Sequence, residues 1–321
     1  MPVALYCVDV SRCTLVVPIT LRYAAARGAT ESYAMCDELT AADNQKLLGM
    51  TRRDFGVMAG AAGLAAMLPV PADAKAVKGR DVVFATPDGM ADGYFVAPSG
   101  GKNPGVLVWP DVMGIRPAFR QMADRLAQSG YAVLTINPFY RSVKGQFLKP
   151  GESFGQPAVR EKIGPWRALL TPEAVVRDAT AYLGFLDKQA EVDLKRGIGT
   201  TGYCMGGPFT MRTAAALPGR VRAGASFHGG GLVTDQPDSP HLLLPQLKAD
   251  YLIAIAENDD ARAPGDKDVL RKAFADAGKT AEIEVYAGAM HGWTVPGGEV
   301  YNQAQAEKAW ARLLALFQKT L

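Results

Sequence analysis

Cysteine is scarce in this chain and unevenly spread. Of 321 residues only Cys7, Cys13, Cys36 and Cys204 are cysteine, and three of these fall within the first 36. No Cys-x-x-Cys pair and no Cys/His ligand spacing occurs, so neither a disulfide framework nor a zinc site is indicated. Histidine is scarcer still, with only His228, His241 and His291. No run of Lys and Arg stands out and the net charge is only +3, so a nucleic-acid partner has no compositional support. Internal repeats and low-complexity tracts are absent. What is present is 48% hydrophobic and 21% charged residues at zero mean hydropathy, the balance of a soluble globular enzyme with one large core.

The first 76 residues stand apart from that core. Thr51-Arg52-Arg53-Asp54-Phe55-Gly56-Val57 matches the twin-arginine export pattern, and Gly56 to Val70 follows as an Ala/Gly-rich, weakly apolar segment. That segment is shorter than the ~20 apolar residues of a bilayer-spanning helix, so it reads as a signal h-region and not as an anchor. Pro71-Ala72-Asp73-Ala74-Lys75-Ala76 then offers small-x-small cleavage sites after Ala74 or Ala76. The expected organisation is an over-called extension at 1–34, a twin-arginine signal region at 35–76 with the true start at Met35 or Met50, and one domain at 77–321. The expected destination is the periplasm, reached through the twin-arginine export machinery, with no stable membrane anchor after cleavage. The mature chain would keep one cysteine, Cys204.

From residue 81 onward, strand-like and helix-like periods alternate. Asp81 to Thr86 and Ala91 to Ala97 flank a Pro-Asp-Gly turn, as in a hairpin. Gly105–Pro110 is a continuous apolar run, as fits a strand buried on both faces of a parallel sheet, and Tyr131–Ile136, Arg196–Thr200, Val221–Phe227, Tyr251–Ala256 and Ala281–Tyr286 read as the strands that follow. Between and after them lie amphipathic stretches at Pro117–Gln128, Pro172–Lys188, Pro208–Leu217, Pro264–Ala277 and Asn302–Lys319. The pattern predicts an α/β fold, a mostly parallel sheet with helices on both faces. It breaks from Asn137 to about Thr171, a Pro/Gly/Arg/Lys-rich stretch containing Phe139, Tyr140, Arg141, Arg160 and Trp166. A loop this long reads as a lid or substrate-binding insertion.

The chemistry centres on Gly202-Tyr203-Cys204-Met205-Gly206-Gly207, a Gly-x-Cys-x-Gly nucleophile elbow with Cys where Ser usually stands. A sharp strand-to-helix turn presents the sulfur at a helix N-terminus, and the Met205 amide can point at a developing oxyanion. In an open α/β sheet, ligands meet the carboxyl ends of the strands. Cys204, Asp259 and His291 each follow a predicted strand, in the nucleophile–acid–histidine order of α/β-hydrolases. In that arrangement His291 takes the thiol proton and later activates water, while Asp259 or its neighbour Asp260 fixes the ring tautomer. The Asp111-Val112-Met113-Gly114 turn reaches the same edge, so the Val112 amide is the candidate second oxyanion donor. His228 ends another strand and His241 sits in a polar loop; both read as structural or surface residues.

Together these residues resemble the dienelactone hydrolase family over roughly Asp81 to Leu321, through the elbow, the Asp259 turn, Met290-His291-Gly292-Trp293 and Gly130-Tyr131-Ala132-Val133. The resemblance implies a single α/β-hydrolase domain with no cofactor and no metal. It implies hydrolysis of small esters or lactones through a cysteinyl acyl-enzyme, with Cys204 as nucleophile, His291 as base and Asp259 as acid. Asp111 stands where such enzymes carry a glutamate that interacts with the resting thiol. Arg160, or else Arg141, is the counterpart of their substrate-carboxylate arginine. A non-catalytic binding protein on the same scaffold is the competing reading; a thiol redox protein would need a resolving cysteine.

Overall fold

The computed structural model describes residues 68–71 and 73–321. The twin-arginine pattern, most of the h-region and the 1–34 extension lie outside the described residues. A hairpin opens the domain, β1 (Val77–Thr86) pairing antiparallel with β2 (Gly89–Pro98). There follow β3 (Gly105–Trp109), α1 (Pro117–Gln128), β4 (Ala132–Ile136), α2 (Pro157–Ala168), α3 (Pro172–Leu186) and β5 (Ile198–Tyr203). The second half comprises α4 (Gly206–Ala216), β6 (Val221–Phe227), β7 (Asp250–Ala256), α5 (Glu257–Arg262), α6 (Asp266–Asp276), β8 (Ala281–Tyr286) and α7 (Gln303–Thr320). A 3-10 turn at Pro240–Gln246 precedes β7.

The eight strands form one sheet in the order β1-β2-β4-β3-β5-β6-β7-β8. β2 meets β4 antiparallel, and every pair from β4 to β8 is parallel. The alternating pattern led to an expectation of this mostly parallel sheet, and it is the α/β-hydrolase fold that the family resemblance implied. Successive residues of a buried strand must face opposite layers, and they do so here. Leu107 and Trp109 join the layer containing α3, α4 and α6, whereas Val106 and Val108 join the layer containing α1 and α7. Burial of each such side chain contributes about 1.5–3 kcal/mol before entropy is charged against it.

Two sequence expectations need correction. The 137–171 insertion contains the twelve-residue helix α2, which buries only Val159 and Ile163 and carries Pro165 inside it. The stretch after β7 is not an open turn: Glu257–Arg262 is the short helix α5.

The insertion is bound down by polar contacts. Asn137 donates to Asp92 (3.1 Å) and to the Val143 carbonyl (2.7 Å). Asp178, fully buried on α3, accepts from the Tyr140 hydroxyl (2.7 Å) and from both terminal nitrogens of Arg141 (2.8 Å each), while Arg141 also reaches Asp88 (2.6 Å).

Candidate active site

The elbow geometry follows from what two glycines permit. A Cβ on Gly202 would lie 2.0 Å from the Gly206 carbonyl oxygen, and one on Gly206 would lie 2.4 Å from the Trp109 carbonyl oxygen, both backbone atoms that cannot give way. So the β5–α4 turn closes against the end of β3 only with glycine at both places. Between them Cys204 takes φ 53°, a left-handed conformation that side chains other than glycine rarely adopt. Its amide donates to the Phe227 carbonyl at the end of β6 (3.0 Å), and its own carbonyl accepts from Gly207 (3.0 Å). The sulfur is thus fixed at the N-terminus of α4, with the residue only 4% exposed. It is the one cysteine among the described residues and is in no disulfide.

His291 lies in the turn after β8 and is 8% exposed. Its amide donates to Asn258 Oδ1 (2.8 Å), and its Nδ1 lies 2.8 Å from Asp259 Oδ2. That leaves Nε2 for the Cys204 side chain, with which the ring shares a hydrogen bond. Burial opposes a charge on this ring, but the Asp259 carboxylate and the Cys204 sulfur outweigh it and hold the imidazolium well above the ordinary histidine range. By the same coupling, the imidazolium favours the thiolate.

Helix α5 separates the two candidate acids. One residue along a helix is a rotation of about 100°, so Asp259 and Asp260 cannot face the same partner. Asp259 faces His291, with Arg262 4.0 Å from its other oxygen; Asp260 accepts from Lys267 instead (2.7 Å).

The Asp111 turn is held as a unit. Asp111 takes Arg116 in a two-pronged ion pair (2.7 Å on each oxygen) and also accepts from the Met113 amide (2.9 Å). Its carboxylate is therefore engaged by Arg116. Among the described residues neither the Val112 nor the Met205 amide has an acceptor. Phe147 packs against Gly114 of this turn and forms an aromatic cluster with Phe139 (5.6 Å) and Trp166 (5.1 Å). Arg160 donates to the Phe154 and Gly155 carbonyls (3.3 and 2.6 Å), and Arg141 is tied into the Asp178 network. No group of three or more His, Cys, Asp or Glu among the described residues is arranged to hold a metal.

Sequence reasoning overlooked Asn258, Thr294 and Arg116. Asn258 was visible only as part of a polar run after β7. Thr294 accompanies His228, whose Nε2 lies 3.0 Å from the Thr294 Oγ1 and whose ring packs edge-on against His291.

Comparison with known proteins places this geometry in a lineage. The model for the dienelactone hydrolase family matches residues 91–321. A carboxymethylenebutenolidase of Rhodococcus opacus is 26% identical over 226 residues, covering 69% of this chain and 83% of that protein. Among solved structures, a dienelactone hydrolase-like promiscuous phosphotriesterase from metagenomic libraries superposes with a TM-score of 0.61 at 21% identity, covering 76% of this chain and 99% of the other. A dienelactone hydrolase of Anabaena variabilis superposes at 0.53 and 19% identity, with the same coverage. At these identities the structural likeness establishes the fold.

Proposed function

The chain belongs to the dienelactone hydrolase family, a family of hydrolases, and from that premise we propose that it cleaves small esters or lactones with Cys204 as nucleophile, His291 as base and Asp259 as the orienting acid. The observation that carries this reading is the unbroken path Asp259–His291–Cys204, each link a hydrogen bond between side chains.

The thiolate attacks the substrate carbonyl carbon, and the oxyanion that forms accepts hydrogen bonds from the Val112 and Met205 amides. Removal of one such donor typically costs about 10²–10³ in rate. The tetrahedral intermediate collapses, the carbon–oxygen bond to the leaving group breaks, and the imidazolium of His291 gives its proton to the departing alkoxide. Water then loses a proton to His291 as its oxygen attacks the thioester. The carbon–sulfur bond breaks, the acid product leaves and the thiolate–imidazolium pair is restored.

Trp166, with Phe139 and Phe147, supplies an apolar wall beside the Asp111 turn. Arg160 spends one terminal nitrogen on the Phe154 and Gly155 carbonyls, Arg141 is held by Asp178 and Asp88, and Arg116 by Asp111, so uncharged esters and lactones suit this site best. The Rhodococcus opacus relative's name describes a dienelactone-cleaving activity for that protein; here the arginine pairings favour neutral substrates.

The test is turnover of p-nitrophenyl acetate by the wild type and by Cys204→Ala. We expect a fall of about 10³-fold or more and, in the wild type, an acyl adduct on Cys204 seen by mass spectrometry. Equal rates would remove Cys204 from the mechanism.

The export reading stands beside this one: residues 35–76 would direct the folded domain to the periplasm. Cleavage after Ala74 is favoured over Ala76 because it spares two bonds that dock the strand start. These are the Lys75 nitrogen, which becomes the terminal amine and can still donate, to the Gln128 carbonyl (3.0 Å) and the Ser99 amide to the Ala76 carbonyl (2.8 Å). N-terminal sequencing of the mature protein decides between them.

A further inference from the structure

Two non-glycine residues among those described have a left-handed backbone, Cys204 (φ 53°) and His228 (φ 41°). They are neighbours across the sheet, because the Cys204 amide bonds to the carbonyl of Phe227, the residue before His228. Such a conformation costs on the order of 1–2 kcal/mol and persists only where the surroundings impose it. At Cys204 the elbow explains it. At His228 the explanation lies in where the ring is sent.

The His228 amide donates to the Ala254 carbonyl (2.8 Å), so the residue is clamped between β5 and β7 at the carboxyl rim. Its ring, 1% exposed, stands edge-on to His291 with centroids 4.9 Å apart and planes 62° apart. On its other sides it meets Trp293 (5.2 Å) and Tyr203 (6.1 Å). Nε2 is held by Thr294, whereas Nδ1 is buried with no hydrogen-bond partner. An unsatisfied buried nitrogen costs about 1–3 kcal/mol, which a phenylalanine in the same place would avoid.

Burial and the adjacent charge of His291, with Arg116 acting more weakly, hold His228 well below the ordinary histidine range while His291 is held above it, so near neutral pH a neutral His228 stands beside a charged His291. A ring of such low basicity takes no proton from the thiol, and without a charge it does not pair with Asp259. It can only brace.

We propose that His228 is a positioning residue for the base. Fastened to Thr294, it holds the His291 imidazole in line between Asp259 and Cys204 and keeps water off that flank, which preserves the attraction between thiolate and imidazolium. The proposal rests on the reading of Cys204 and His291 as the reacting pair. The charged and titratable groups involved are Asp259 with Arg262 behind it, Cys204, His228 and Arg116.

The test is the rate of Cys204 alkylation by iodoacetamide over about pH 5–9, which reports thiolate and needs no substrate. The full mature domain is used, as wild type, His228→Ala, His228→Phe and Thr294→Val. Wild type is expected to alkylate readily in mildly acid solution. In His228→Ala the acid limb should move up by about one pH unit, making alkylation near pH 6 about tenfold slower, and kcat should fall with little change in KM. His228→Phe keeps the brace and should recover most of the shift; Thr294→Val, which removes only the hydrogen bond, should move the limb by a smaller amount.

A folded His228→Ala with the wild-type limb overturns the proposal. Should that variant fail to fold, Thr294→Val carries the test alone, and an unmoved limb there overturns it. If instead the wild type titrates like a free thiol near pH 8.5, the reading of Cys204 and His291 as a pair falls, and the proposal with it.

Discussion

The carboxyl rim of the sheet and the 137–171 insertion beside it are held by different means. At the rim, each reactive group is fixed through backbone: Cys204 by its torsion and the Phe227 carbonyl, His291 by the Asn258 bond to its amide, Asp259 by its place on α5 directly after β7. The insertion is fixed through side chains: the Arg141–Asp178–Tyr140 network, Asn137 on Asp92, and the Phe139–Phe147–Trp166 cluster. The rim cannot shift unless strands shift. The insertion is anchored on Asp88, Asp92 and Asp178 instead of on the rim, so under the proposed mechanism changes in it would act on substrate choice more than on bond-breaking.

The sharpest way to break that division is at α5. Asp259→Asn leaves the fold intact but removes the charge that keeps His291 protonated, and kcat should fall about 10²–10⁴-fold. Asp260→Asn, one residue along, breaks only the Lys267 pair and should leave kcat within about twofold. Comparable losses in both variants would show that the rim is not fixed residue by residue.

The insertion should answer in stability. Asp178→Ala strips a buried partner from Arg141 and Tyr140, and breaking a buried ion pair typically costs about 3–5 kcal/mol. For a domain of this size that lowers Tm by about 10 °C. The change in ester hydrolysis should fall mainly on KM. A large loss of kcat in a variant that remains folded would join the two regions again.

The smallest effect is a pH dependence. His291 has a raised pKa in the folded state, so the folded chain keeps a proton that the unfolded chain sheds above about pH 6.5. Its stabilisation is therefore complete below that pH and is lost as pH rises through the folded pKa. Melting scans of Cys204→Ser, in which no thiolate offsets the proton kept on His291, should show Tm declining with pH above about 6.5, and the decline should be shallower when Asp259→Asn is added. Parallel curves would mean that Asp259 does not hold the proton.

Much of this arrangement was legible in the sequence. The spans read as Pro117–Gln128, Val221–Phe227 and Ala281–Tyr286 coincide with α1, β6 and β8, because each carries an uninterrupted apolar period with clear ends. The glycines flanking Cys204 marked the tight turn, since no other residue fits there. Helix α2 went unread because it buries only two side chains and carries Gly164 and Pro165, which look like loop. Asp259 was preferred over its neighbour Asp260 in a presumed turn, and the helical rotation of α5 is what separates them. His228 was read as a structural residue that could line the cleft, without a partner, because its partners, His291 and Thr294, lie more than sixty residues further along the chain. No local pattern encodes such a contact.

The two-pronged grip of Asp111 on Arg116 has a kinetic consequence. With the Asp259–Arg262 pair and, under the proposed mechanism, a thiolate–imidazolium pair nearby, each of these charges has an opposite close by, so together they cast little net field beyond about one Debye length, ~8 Å in physiological salt. A neutral ester is then expected to reach Cys204 by unaided diffusion, at an encounter rate that ionic strength barely alters.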